Sequence, residues 1–530
     1  MDGSGRASGP ARARRAAPAR PVDAASRIDA AYLEETPARH RKAYAQVLTP
    51  PDLAALMAEW VARGAPDEVL DPAFGTGVLA RAMAAARPGL RIRAHEVDPR
   101  IAAAGQAACA AAGVVLALEP GDFLGSAPAP VAGVIANPPW LRPRVGDGLS
   151  AQIRALSDRA GLVLGGQTNA YVLFVLECCL RLRPGGYGAF LLPAEWANAN
   201  SCAGLKRFLI ERGFLRRLVY VSNLRPVFAD ALTTASLVLV QAPLRPGPVA
   251  EVETLFVGEG ACLPGPEAPG RLVPAAALLG AAKWDALLRG AEPGLPAGHV
   301  RLGDLARTRR GLATGANGFF HLSAVDAQAR GIAPARLRPC VAKAADAPGR
   351  LFRAGDIARL EARGRPGHFL DLTPPLSEAE ARYVTEGAAA GLDQRFLTRN
   401  RTPWHAPERL HVAPIWASTF AREDLRFVYN AAGALQMTAF HGIFPERTDA
   451  PWLRALTACL NAPETRKRAE TQLRRYGGGL RKIEPRDLLE IAVPDLRRVA
   501  PATVAALSRV LEGPETALQR RVAEAVEEAR

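Results

Sequence analysis

The residues with the most specific chemistry in this chain are Asn137-Pro138-Pro139-Trp140. An amino group on an aromatic ring is a poor nucleophile because its lone pair is delocalised into the ring. A site helps by accepting both N–H bonds, which frees the lone pair for attack. Asn137 offers a side-chain carbonyl for this and Pro138 a backbone carbonyl. Successive prolines donate no N–H and fix φ, so the turn is rigid and presents mainly acceptors. Trp140 adds a face on which an unpaired base stacks, worth about 1–3 kcal/mol. A proline-rich turn around a packed Trp is the bland alternative. The position of the turn, directly after the apolar run Val131–Ala136, weighs against it.

Three further groups precede that turn. Asp71-Pro72-Ala73-Phe74-Gly75-Thr76-Gly77 follows a short strand pattern and opens a helical one. Glycines there let the backbone turn tightly and approach a ligand. Glu96 stands about 20 residues further on, at a strand end, where a carboxylate can accept from both hydroxyls of a ribose. Asp122 could accept from the amino group of a nucleoside cofactor, and Phe123 could pack on its ring. A ligand-free turn, a solvated carboxylate, a loop-capping Asp and a core Phe are the structural alternatives.

In this order the motifs resemble the gamma-class amino-methyltransferases of restriction–modification systems. The resemblance implies S-adenosylmethionine as cofactor, held by Asp71, Phe74, Gly75, Gly77, Glu96, Asp122 and Phe123, with Asn137, Pro138, Pro139 and Trp140 as the catalytic turn. Upstream, Tyr44-Ala45-Gln46-Val47-Leu48-Thr49-Pro50 resembles the family segment that folds over the methionine end of the cofactor, with Thr49 and Pro50 intact. It departs from the family's Gly-x-Phe-x-Thr-Pro form at Ala45 and Val47. A helix start with Thr49 as N-cap and Pro50 at N1 fits the same residues. Asn169 to Phe174 resembles the helix that lines the methionine pocket, and Phe228 matches an aromatic that the family places near the flipped base. More loosely, Gly311 to Phe320 and Tyr476 to Pro494 resemble parts of the family's target-recognition domains. Arg474, Arg475, Arg481 and Lys482, around the glycines of that second segment, are candidate phosphate contacts, with a solvated basic face as the alternative.

The elements that must position these residues alternate strand and helix from Arg39 to about Pro243, which predicts a doubly wound α/β sheet covered on both faces. Residues 1–38, rich in Ala, Arg, Pro, Gly and Ser, read as a flexible basic leader. Residues 244–299 read as a linker with connecting elements, and 300–530 as a mixed α+β target-recognition domain. The formal charge of +15 favours a polyanionic partner, and the resemblance implies that this partner is double-stranded DNA. Arginine-rich compositional bias is the competing explanation.

The seven cysteines form no CxxC pair and no Cys/His set of zinc spacing, so neither a metal nor a disulfide framework is expected. The odd, dispersed cysteines read as reduced thiols of a cytoplasmic protein, and no apolar run approaches the ~20 residues of a membrane span, so no membrane partner is expected. The sequence therefore predicts an adenine-N6 DNA methyltransferase working by base flipping, beside a separate cognate restriction endonuclease and without cleavage of its own. Methylation of cytosine N4, ribosomal RNA or protein glutamine is the competing activity, and a non-catalytic DNA-specificity subunit the competing class.

Overall fold

The computed structural model describes residues 24–127, 129–141, 147–165, 168–221, 234–258, 263, 265, 267–288, 290, 294–422, 425–475 and 480–530. Its frame is a nine-stranded sheet. The strands are β1 (Glu68–Asp71), β2 (Arg91–Glu96), β3 (Val115–Pro120), β4 (Val131–Ala136), β5 (Leu182–Pro193), β6 (Leu215–Val221), β7 (Ala235–Gln241), β8 (Glu251–Val257) and β9 (Arg271–Pro274). They lie in the order β3-β2-β1-β4-β5-β7-β6-β8-β9. β1 to β5 are parallel, whereas β7 runs antiparallel between β5 and β6. The expected parallel sheet is therefore mixed on that side.

Side chains of successive strand residues alternate between two cores, as the pleat requires. Ile135, Leu191, Leu237 and Leu239 meet Leu53, Met57 and Val61 of α3 (Pro51–Ala62) and Leu79 and Met83 of α4 (Val78–Ala86). Val134, Phe190, Leu192 and Val238 face the opposite core. That core contains α6 (Asp147–Ala160), α7 (Ala170–Arg181) and α8 (Ala203–Glu211). Between them along the chain, α5 (Pro99–Ala111) starts on an Asp98 cap with Pro99 at its first turn.

Two sequence expectations change. Residues 24–38 are not a free leader: α1 (Ala24–Glu35) packs along α5, Tyr32 is buried, and Asp29 pairs with Arg81 at 2.5 Å. A short α2 (Ala38–Ala43) follows. The run 244–299 is more than a connector, because β8 and β9 extend the catalytic sheet, with α9 (Ala275–Gly280) and α10 (Asp285–Leu288) beside them. Proline-rich flanks masked the alternation in which Val252 and Thr254 turn inward.

Residues 299–530 form the expected mixed α+β unit. Strands 306–310, 440–445, 415–418, 427–430 and 351–352 make its largest sheet. The helices Ala450–Asn461, Pro501–Val510 and Glu515–Ala529 share one apolar core with it. Lys283 of the first unit and Asp487 of the second form a buried ion pair at 2.7 Å where the two units meet.

Candidate active site

The strand order reverses between β1 and β4, and in such sheets ligands bind in the crevice at the carboxyl ends of the strands. A cavity of ≈ 360 Å³ lies there. Gly75, Glu96, Asp122, Phe123 and all four residues of the Asn137–Trp140 turn line it. Ala170 and Phe174 of α7 close one side, and the strap from Ala43 to Leu48 another.

Gly75 has φ +59° and Gly77 φ +73°, the left-handed region in which glycine carries no Cβ penalty. Gly77 also has no room for a side chain, since a Cβ would sit 2.7 Å from Cys109 Sγ. Glu96 holds this turn: its Oε2 accepts from Gly75 N at 2.9 Å, and its Oε1 from Val97 N at 2.9 Å and Asp98 N at 3.0 Å. A carboxylate has about four lone-pair sites, so three backbone bonds leave Glu96 capacity for a further donor such as a ribose hydroxyl. Burial raises its pKa despite those three bonds. Phe123 packs against His95 and Phe174, with the Arg181 guanidinium 4.3 Å from its ring centre. Asp122 Oδ1 caps the following turn through Leu124 N at 3.0 Å.

Asn137 is fixed by its amide nitrogen, which donates to Val47 O at 2.9 Å and Thr49 Oγ1 at 3.1 Å. A backbone carbonyl can only accept, so the amide's NH2 must face Val47 and its oxygen must face the other way. Thr49 thus positions Asn137 and is not among the residues that line the cavity. It does not cap α3 either, whose N-cap is Pro50. Phe74 and Gly77 also sit behind the wall, Phe74 in the core with its amide on His95 O at 3.0 Å. Phe228 lies outside the described residues, as do the side chains of Arg474 and Arg475.

Sequence reasoning missed the tether of the strap. His40 Nε2 meets Asp98 Oδ2 at 2.7 Å, Gln46 Nε2 donates to the same oxygen at 2.6 Å, and Tyr32 Oη donates to Gln46 Oε1 at 2.7 Å. Polar residues from α1, α2 and the strap converge on the cap of α5, a convergence with no spacing signal. Ala45 has φ +51° at the place where the family carries glycine, so that departure is a strained one.

Arg481 and Lys482, candidate phosphate contacts in the sequence, each stand in an ion pair. Arg481 donates to Glu470 at 2.8 Å and to Arg422 O at 3.1 Å, and Lys482 pairs with Glu484 at 2.8 Å. Both fall on a small three-stranded sheet, where register decides their partners.

The donor set fits S-adenosylmethionine: a glycine turn, an acid at the end of β2, an aromatic wall and an acceptor-rich turn around one crevice. Asp71 is buried, is not among the residues that line the cavity, and keeps one carboxylate oxygen without a hydrogen-bond partner. This is the architecture of the S-adenosylmethionine-dependent methyltransferases, and S-adenosylmethionine is the methyl donor. Residues 133–228 match the family model of the Eco57I restriction-modification methylase, and 296–528 that of the C-terminal domain of the type II methyltransferase M.Eco57I. The chain belongs with these restriction–modification methylases. It is 28% identical to the type II methyltransferase M.AccI of Acinetobacter calcoaceticus over 88% of each chain. It is also 28% identical to M.XamI of Xanthomonas campestris pv. amaranthicola, over 86% of this chain and 85% of that one. A release factor glutamine methyltransferase of Cereibacter sphaeroides is 31% identical over 26% of this chain and 50% of its own. Among solved structures, a nuclease-deletion mutant of the type ISP restriction-modification enzyme LlaGI, in complex with a DNA substrate mimic, has a TM-score of 0.50. It is 11% identical and covers 92% of this chain and 48% of that one.

Two predictions arise here. Glu96→Ala weakens S-adenosylmethionine binding about 10- to 100-fold, because a charge-assisted hydrogen bond is worth about 1.5–3 kcal/mol. Calorimetric titration checks it, and unchanged affinity removes Glu96 from the cofactor site. The second concerns Asp71, whose pKa burial pushes up to about 7. The unfolded value is about 3.9, so between the two values the folded state binds the extra proton. Stability of the cofactor-free protein then falls as pH rises from about 4 to 7, by about 4 kcal/mol in all. Asp71→Asn removes this titration. The Tm of the variant relative to the parent should rise between pH 5 and pH 8, and a constant difference would refute the assignment.

Proposed function

We propose that this chain methylates the N6 amino group of an adenine flipped out of double-stranded DNA, as the modification enzyme of a cytosolic restriction–modification system. The observation that carries this reading is the orientation of Asn137. Val47 O and Thr49 Oγ1 occupy its amide nitrogen, which leaves Oδ1 as an acceptor at the cavity. Oδ1 and the Pro138 carbonyl accept the two N–H bonds of a planar amine and hold its lone pair along the line of transfer. Trp140 lines the same cavity and offers the stacking face for the base. Extrusion of the base costs a few kcal/mol, to be met by contacts from the C-terminal unit.

Bound S-adenosylmethionine supplies an electrophilic methyl group, so the protein's contribution is mainly positioning. The attacked nitrogen becomes strongly acidic as the new bond forms, so no base need act before attack. DNA as substrate is supported by the type II methyltransferase relatives and by the family match across 296–528. A separate endonuclease partner belongs to the same reading.

The short match to a glutamine methyltransferase keeps a planar amide nitrogen as the second reading. Nucleoside analysis of DNA from cells expressing the chain decides among these. N6-methyladenine is the expected product, N4-methylcytosine would move the substrate to cytosine, and unmodified DNA would refute the proposal. A cofactor titration separately tests the non-catalytic alternative.

A further inference from the structure

Strand 306–310 is an outer strand of the largest C-terminal sheet and, among the described residues, pairs only with 440–445. Its sequence, Ala-Arg-Thr-Arg-Arg, leaves Arg307, Arg309 and Arg310 exposed. The segment Glu408 to His411 runs beside it, and a groove of ≈ 290 Å³ lies between them. Two guanidiniums in this groove are held by neighbours. Arg310 Nη2 donates to Glu408 Oε1 at 2.9 Å, and Arg309 Nη1 donates to His411 Nε2 at 2.7 Å. Each bond uses one of the five donors of a guanidinium and fixes the plane of the rest.

Gln436 lines the same groove, is 4% exposed, and has a side-chain oxygen with no hydrogen-bond partner. A buried amide oxygen without a donor is uncommon in folded proteins and marks a place where a ligand's donor fits. A site for phosphate alone would present donors only. Here buttressed arginines stand beside an amide oxygen and a carboxylate, a mixed set that suits the edge of a base pair in the major groove.

We infer that this groove reads base edges of duplex DNA, with Arg310 donating to a guanine and Gln436 accepting from a base amino group. The inference rests on the DNA reading above. The groove is also tied to the catalytic unit. Thr308 Oγ1 donates to Pro485 O at 2.5 Å, and Asp487, two residues on, pairs with Lys283.

The test uses the full chain. The methylated sequence is first mapped in genomic DNA from expressing cells. Binding is then measured for a duplex carrying it and for a scrambled duplex of equal length, with the parent, Arg310→Ala and Gln436→Met. Each variant should lose about 10- to 100-fold affinity for the mapped duplex, the value of one good base contact, and less than about twofold for the scrambled one. Each should also relax the methylated sequence at one position. An equal loss on both duplexes with a shallower salt dependence would show a phosphate contact and overturn base reading. Unchanged discrimination in both variants would overturn the groove altogether. Should Arg310→Ala fail to fold by circular dichroism, Gln436→Met, which nearly preserves volume, decides alone. If the parent methylates no DNA, the underlying reading fails instead.

Discussion

Asn137→Ala should lower kcat about 10³-fold while the affinity for S-adenosylmethionine stays within about threefold of the parent. Removing one preorganised hydrogen-bonding group from a transition-state site costs about 10²–10³ in kcat, and alanine here also frees Val47 O and Thr49 Oγ1 from their shared donor. The cofactor contacts assigned to Glu96, Asp122 and Phe123 come from other strand ends, so binding and transfer separate. Thr49→Val supplies the positioning control. It removes one of the two acceptors that orient the amide, and should lower kcat about tenfold with little change in KM. Single-turnover methyl transfer alongside a cofactor titration reads both. Near-normal transfer by Asn137→Ala would refute the catalytic assignment, and parallel losses of binding and transfer would make the turn a structural element.

Lys283→Met should destabilise the protein by about 3–5 kcal/mol and uncouple its two units, because it strands the Asp487 carboxylate in a buried interface. Lys283 is also joined to the C-terminal unit through Gln472 O at 2.8 Å, and Asn198 of the first unit reaches Leu473 O at 3.5 Å. These contacts place the hairpin bearing Arg481 and Lys482 beside the turn after β5, next in the sheet to the strand that ends at Asn137. Calorimetry should show one transition for the parent and two for the variant, with sequence-specific DNA affinity lost and S-adenosylmethionine binding retained. The pair Lys283→Met with Asp487→Leu should recover much of the stability, since no buried charge then lacks a partner. A single transition of unchanged midpoint in Lys283→Met would show that the pair does not couple the units.

The amino-acid sequence by itself determined the kind of fold in the catalytic unit and the strands that carry its turns, but not the unit's ends. β4 begins and ends where its apolar run does, and the glycine turn and the Asn137 turn stand at strand ends. The reason is that these signals are local: a parallel strand buried on both faces is an apolar run, and a turn needing left-handed φ needs glycine. Tertiary structure alone decided the rest, because it depends on partners distant in the chain. Thr49 looked like a helix cap or a cofactor contact, and became the support of Asn137 only when α3 packed against the end of β4. Residues 24–35 had the composition of a tail until α5 offered them a packing surface and Arg81 of α4 a partner for Asp29. Arg481 and Lys482 read as free charge because net charge is a sum over the chain. Which of a cation's donors remain for a ligand depends on the partners that the fold brings within reach, here Glu470 and Glu484. The same dependence hid the groove at Arg310, whose donors and acceptors come from segments about a hundred residues apart and meet only across the folded sheet.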